Sequence, residues 1–104
     1  MKVLLDHCVP RPLRRHLPGH EVATAHSLGW STLKNGELLA AAEAAQFDVM
    51  ITSDKNLRYQ QNLADRRLAI LLLATNFLPR VIALAPQVLA TLSVIRAGEW
   101  RKIE

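Results

Sequence analysis

Two aspartates stand just past short apolar runs: Asp6 closes Lys2-Val3-Leu4-Leu5, and Asp54 follows Asp48-Val49-Met50-Ile51-Thr52-Ser53. Runs of this length read as strands, so each carboxylate is expected beyond a strand's C-terminal end. In doubly wound sheets the first and third strands are commonly neighbours, and ligands bind beside that edge. Two carboxylates converging there repel unless a cation lies between them. Mg²⁺ suits such a place, because it takes one or two carboxylates and fills its remaining positions with water and phosphate oxygens. Glu37, in the first turn of an expected helix, is either a third carboxylate facing the same edge or a partner for the helix dipole.

Other polar residues surround these three. Ser53-Asp54-Lys55-Asn56 puts a cation and an amide beside the expected metal position, and Arg58, Tyr59, Gln60, Gln61 and Asn62 come next on a polar segment. Phosphate and base contacts fit that segment, and so does a plain solvated helix. Arg11, Arg14 and Arg15 leave the end of the first strand, where they line the mouth of the crevice or form a solvated face. His7, His16, His20 and His26 crowd the first quarter of the chain with Cys8. Pro18-Gly19 separates His16 from His20, so their spacing is not that of two zinc ligands on one helical turn. His7 adjoins Asp6 and has a side chain that titrates near neutrality. Asp48 reads as a turn residue at the opposite edge. Glu21, Glu43, Asp65, Glu99 and Glu104 read as solvated charges.

Strands and helices alternate along the chain. Strands are expected over residues 2–5, 20–25, 48–52 and 68–73, with a last edge strand over 100–103. Between them lie a short basic helix over residues 10–17, a helix over 36–46 capped by Asn35, and a short polar helix over 55–64. Pro79 and Pro86 break the segment after the fourth strand into two pieces, with Pro86 opening a helix that runs to Arg96 and ends at Gly98. Such alternation predicts an α/β domain with a parallel sheet and helices on both faces.

The chain has 104 residues, 50% hydrophobic and 21% charged, which suits one domain over residues 1–104 and excludes disorder and collagen-like architectures. No apolar run approaches the roughly 18 residues of a membrane span, and the start at Met1 lacks the pattern of a secretory leader. One cysteine fits a reducing, cytoplasmic setting. Thirteen Lys and Arg against nine Asp and Glu give a net charge of +4. That balance leans towards nucleic acid or an acidic protein. Residues 77–95 carry more apolar side chains than one stripe needs, with Val88, Leu89, Leu92 and Ile95 forming the stripe. The surplus before Pro86 predicts a homodimer surface or another protein contact there.

The ordered motifs resemble a known family. Leu4-Leu5-Asp6 with Val9-Pro10, Leu17-Pro18-Gly19-His20-Glu21-Val22, Gly29-Trp30 and Leu33-Lys34-Asn35-Gly36-Glu37-Leu38-Leu39 look like the small PIN-like proteins of bacteria. Phe47-Asp48-Val49, Thr52-Ser53-Asp54-Lys55-Asn56-Leu57 and Tyr59-Gln60-Gln61-Asn62-Leu63 extend the likeness, which covers roughly residues 1–75. It implies a three-layer α/β/α PIN-like domain with a mostly parallel four- to five-stranded sheet. It also implies an endoribonuclease that uses Mg²⁺ or Mn²⁺, often the toxin of a toxin–antitoxin pair, and often a dimer. Asp6, Glu37 and Asp54 match the family's acidic positions. Lys55, Asn56, Arg58, Arg11, Arg14 and Arg15 are the expected RNA contacts. His7 stands where the family usually has Glu, and Asn35 and Asn56 stand where many wider relatives have Asp. Two other functions fit these residues: a PIN-like binding module without catalysis, and a receiver-like phosphoacceptor domain with Asp54 as acceptor and Thr75 as the hydroxyl after the fourth strand.

Overall fold

The computed structural model describes residues 1–57 and 66–104. Most of the helix expected over residues 55–64, including Arg58 and the Tyr59-to-Leu63 motif, lies outside the described residues, as does Asp65. Five strands, β1 (Lys2–Leu5), β2 (Glu21–Thr24), β3 (Val49–Thr52), β4 (Ala69–Leu73) and β5 (Trp100–Ile103), form one sheet in the order β2-β1-β3-β4-β5. Every pairing is parallel, with Leu5 opposite both Thr24 and Ile51, and Thr52 opposite Leu72. The sheet reverses its order between β1 and β3, the neighbours expected to carry Asp6 and Asp54.

Alternate strand residues feed opposite faces, as a two-residue period requires. Val3, Leu5, Val49, Ile51, Ala69, Leu71 and Leu73 share one core with Leu13 and Leu17 of a 3-10 segment (Arg11–His16 and its following residue). Leu4, Met50 and Ile70 meet Leu38, Leu39 and Ala42 of helix α1 (Asn35–Ala44) on the other face. Both faces are therefore covered, which is why β3 and β4 are buried at every position. Each buried Val, Leu or Ile contributes roughly 1.5–3 kcal/mol.

Helix α1 ends earlier than the sequence predicts. Gln46 takes a left-handed φ of 62°, the Gln46 N–H bonds the Glu43 carbonyl, and the Phe47 N–H bonds the Ala42 carbonyl. This pair of bonds stops a helix, and buried Phe47 supplies the apolar contact that accompanies it. At the other end Asn35 is the first helical residue rather than the cap, and Lys34 holds the cap position. Glu43 is not a free surface charge, because its Oε1 accepts the Leu68 N–H at 2.6 Å.

The C-terminal third also departs from expectation. Leu78–Leu92 is one continuous helix, α2, with Pro79 in its first turn and Pro86 inside it. Pro86 offers no N–H to the Ile82 carbonyl, yet Val81, Ala85, Val88 and Leu92 recur at helical spacing and are all buried. Burial of that stripe outweighs the local break. Val81 and Ala85 are thus core residues, and Leu84 packs against the same core, so they are not surplus surface. The exposed apolar side chains of this third are Phe77, Leu78 and Val94.

Gly98 does not end α2 but sits in the turn before β5, with φ 76° and its N–H on the Arg67 carbonyl. Glu99 pins the same turn. Its Oε1 accepts the Arg96 N–H at 2.7 Å and its Oε2 lies 3.1 Å from Arg101 Nε. The bond from the Arg96 N–H, then Arg101, lower the Glu99 carboxyl below its usual value. Whatever this turn adds to stability is therefore present above the ordinary glutamate range and lost as the pH falls through the lowered value.

Helix α2 lies against the 3-10 segment on one face, although the β1-to-β2 and β4-to-β5 connections run towards opposite edges of the sheet. Two crossovers on one face that move in opposite directions have opposite hands. One of them departs from the near-universal right-handed rule.

Replacing Pro86 with Ala restores an N–H for the Ile82 carbonyl and adds the best helix former. The expected gain is about 1–3 kcal/mol. Thermal unfolding of Pro86→Ala checks it; an unchanged or lower midpoint would mean that the helix is adapted to the proline.

Candidate functional site

The three buried polar side chains among the described residues are Thr24, Asp6 and Thr52. Each stands at the C-terminal end of one of three adjacent strands, β2, β1 and β3. The Asp6 N–H bonds the Ile51 carbonyl, extending the β1–β3 pairing by one residue. That register brings Asp6 alongside Thr52.

Asp6 is 5% exposed. Its Oδ2 accepts the Thr52 hydroxyl at 2.7 Å, and its Oδ1 accepts the His7 N–H at 2.7 Å. Cys8 Sγ lies 3.7 Å from both Asp6 Oδ2 and Thr52 Oγ1, and accepts the Ser53 N–H at 3.3 Å. The Thr52 oxygen in turn accepts the Asp54 N–H at 3.1 Å. One buried hydroxyl therefore ties the Asp6 carboxylate to the backbone that carries Asp54.

Asp54 is held on both oxygens. Oδ1 accepts the Asn56 N–H at 2.9 Å, closing an Asx turn, and Oδ2 accepts an Asn35 Nδ2–H at 2.9 Å. Asn35 acts at the site rather than as the α1 cap. An aspartate at position 35 would face Asp54 with a second charge, whereas the amide donates to it. Lys55 and Asn56 are exposed beside this turn.

Glu37 sits where expected, in the first turn of α1, and is exposed. Its Oε1 accepts the Lys34 N–H at 3.2 Å, the bond of a helix N-terminus. No group of three or more His, Cys, Asp or Glu side chains able to share a metal ion occurs among the described residues. The structure thus gathers Asp6 and Asp54 around Thr52 and leaves Glu37 at the start of its helix.

Beside Asp6 opens a cleft of about 470 Å³ whose lining includes Asp6, His7, Cys8, Arg11, Thr24 and His26. A second cleft of about 410 Å³ adjoins it and shares Arg11 and Thr24, with Arg14 and Arg15 on its wall. Of the three arginines, Arg11 lines both clefts, and Arg14 and Arg15 line the second alone. Thr52 and Thr24 join this edge without having been expected there, and a lone hydroxyl ending an otherwise apolar strand was the signal for Thr52. His26, one of the four histidines of the first quarter, lines the cleft beside Asp6.

No Lys, Arg or His side-chain nitrogen of a described residue lies within 4.0 Å of the Asp6 or Asp54 carboxylates. Asp6 Oδ2 takes the Thr52 hydroxyl and the longer Cys8 thiol contact, and Asp6 Oδ1 and both Asp54 oxygens each accept a single N–H. Carboxylate oxygens are the ligands that a hard cation such as Mg²⁺ or Mn²⁺ takes, and Asp6 presents its carboxylate to the cleft, whereas Asp54 is not among the residues that line it.

No family model matches the chain, and neither a curated protein nor a solved structure is significantly similar to it. Among the described residues no helix is long and apolar enough to cross a membrane.

Thr52→Val keeps the shape of the side chain and removes both hydrogen bonds. The buried Asp6 oxygen and the Asp54 N–H each lose a partner, at an expected total of about 1–3 kcal/mol. Chemical denaturation at neutral pH measures this. A variant as stable as the native chain would show that the hydroxyl does not organise the edge.

Proposed function

We propose that this chain is a metal-dependent endoribonuclease of the PIN-like type, acting as the toxin of a toxin–antitoxin pair. The observation that carries the reading is the pair Asp6 and Asp54 at the β1/β3 switch point, tied through Thr52 and with no described cation beside them. The motif likeness over residues 1–75 supports the same reading.

Asp6 and Asp54 are the residues to hold Mg²⁺ or Mn²⁺, with Glu37 as the third acid of the resemblance. Such an ion supplies Lewis-acid charge at the phosphate and an acidified water. Thr52 and the His7 and Asn56 amides fix the carboxylate directions before substrate arrives. Arg11 lines the cleft beside Asp6 and neutralises a phosphate there. Lys55 and Asn56 flank Asp54 and contact the neighbouring backbone, with Arg58 on the segment beyond. Exposed Phe77, Leu78 and Val94 are the apolar positions for an antitoxin or a second copy of the chain.

One observation favours a second reading, a PIN-like binding module without catalysis. All four oxygens of the two carboxylates already have neutral donors, and Asn35 stands in place of another acid. The receiver-like reading draws on strand order and on Asp54 and Thr75, which follow β3 and β4. A regular doubly wound sheet of this order carries its last three crossovers on one face, whereas α2 joins the 3-10 segment on the face opposite α1.

Titration with Mn²⁺, followed by calorimetry and by cleavage of an RNA oligonucleotide, tests the proposal. The native chain is expected to bind Mn²⁺ saturably and to cleave, and Asp6→Asn/Asp54→Asn to lose both at least tenfold. Native protein that ignores Mn²⁺ yet binds RNA would select the binding module, and labelling of Asp54 by acetyl phosphate would select the receiver. RNA binding in chelator should weaken as salt rises, with a log–log slope of roughly −2 for three phosphates contacted. A flat salt dependence would assign the arginines to a protein partner.

A further inference from the structure

The second cleft is more than the mouth of the first. Its wall is the 3-10 segment Arg11–His16, which turns every three residues, so Arg11 and Arg14 eclipse one another and Arg15 comes next beside them. The segment is fixed from behind, because Leu13 and Leu17 are at most 1% exposed. The facing wall is a turn locked by three hydrogen bonds: Ser27 N–H to Thr24 Oγ1 at 3.0 Å, Thr24 N–H to Ser27 Oγ at 3.2 Å, and Ser27 O–H to the Thr24 carbonyl at 2.9 Å. Thr24 is 5% exposed, and its own hydroxyl hydrogen has no acceptor among the described residues. It lies where the two clefts meet.

Three arginines therefore line one cleft of about 410 Å³, and no carboxylate of a described residue lies within 4.0 Å of their side-chain nitrogens. An internal phosphodiester brings one negative charge to such a place. A terminal phosphate monoester brings about −1.5 to −2 and three acceptor oxygens. Three arginines and a free hydroxyl match the monoester better, in charge and in number of donors.

We propose that the Arg11, Arg14 and Arg15 cleft is a receptor for the terminal phosphate of a nucleic-acid strand. Its place one cleft away from Asp6 sets the reacting bond close to that end. This inference rests on the nuclease reading for its substrate, but the phosphate site itself needs neither metal nor cleavage. The 5′- and 3′-terminal phosphates share the chemistry, and the experiment separates them.

The test is fluorescence anisotropy of the full chain in chelator with RNA oligonucleotides of one sequence carrying a 5′-phosphate, a 3′-phosphate, or hydroxyls at both ends. The dye is placed internally. One of the two phosphorylated strands is expected to bind about tenfold more tightly than the hydroxyl-ended strand, as added charge-assisted hydrogen bonds predict. In Arg14→Gln/Arg15→Gln the preference should fall below about twofold while the melting temperature stays native, since both side chains are exposed. Equal affinity for all three strands, a preference that survives the double substitution, or no binding at all would each overturn the site. Cleavage in Mn²⁺ is read separately: metal-dependent cleavage blind to end phosphate removes the phosphate site and leaves the nuclease, and an end preference without cleavage does the reverse.

Discussion

A parallel sheet covered on both faces leaves a polar side chain almost nowhere to go except the strand ends. Here the middle strands β3 and β4 have no exposed position at all, and the buried polar side chains among the described residues, Thr24, Asp6 and Thr52, all fall at the C-terminal rim. A polar atom so placed must find a partner or cost about 1–3 kcal/mol. Thr52 finds Asp6 and the Asp54 N–H, Thr24 finds Ser27, and Asp6 finds Thr52 and His7. Asp6 and Thr24 each line one or both of the clefts at this rim, while Thr52 is buried behind them.

Charge obeys the same constraint. Asp6 is buried without a described cation, and its negative charge is held by a set of oriented neutral donors. Asp54 is treated in the same way, with the Asn35 amide in place of a second acid. Such donors stabilise each carboxylate where no cation of a described residue lies beside it. The positive charge of this region stands on Arg11, Arg14 and Arg15, with neither described carboxylate within 4.0 Å of them.

Much of this was legible in the residues. Val3-Leu4-Leu5 and Val49-Met50-Ile51 are apolar without interruption, so the strands and the acids beyond them could be read directly, and all five strands lie within a residue or two of expectation. The misreadings share one cause, local chemistry weighed without its tertiary partner. Pro86 has the look of a helix start, but its effect is outweighed by a stripe running from Val81 to Leu92 that is buried only against the sheet. Asn35 has the chemistry of a cap, and its amide goes instead to Asp54, a residue nineteen positions away. Glu43 and Glu99 look like solvated charges, yet each accepts a backbone N–H. Thr24 and His26 reach the cleft only because β2 lies beside β1, which strand order decides and sequence spacing does not.

The C-terminal third carries little of the family likeness, yet the site depends on it. Val81, Ala85, Val88 and Leu92 of α2 enter the same core as Leu13 and Leu17, the residues that anchor the arginine-bearing 3-10 segment. A segment of six residues closed by 3-10 bonds has little stability of its own, so its geometry is borrowed from the helix that packs behind it. Had α2 followed α1 to the other face, as a regular doubly wound sheet requires, Leu13 and Leu17 would lack that cover. The unusual hand of one crossover thus has a structural consequence: it places fifteen residues of helix directly behind the three arginines and converts a short basic turn into a rigid wall of the cleft.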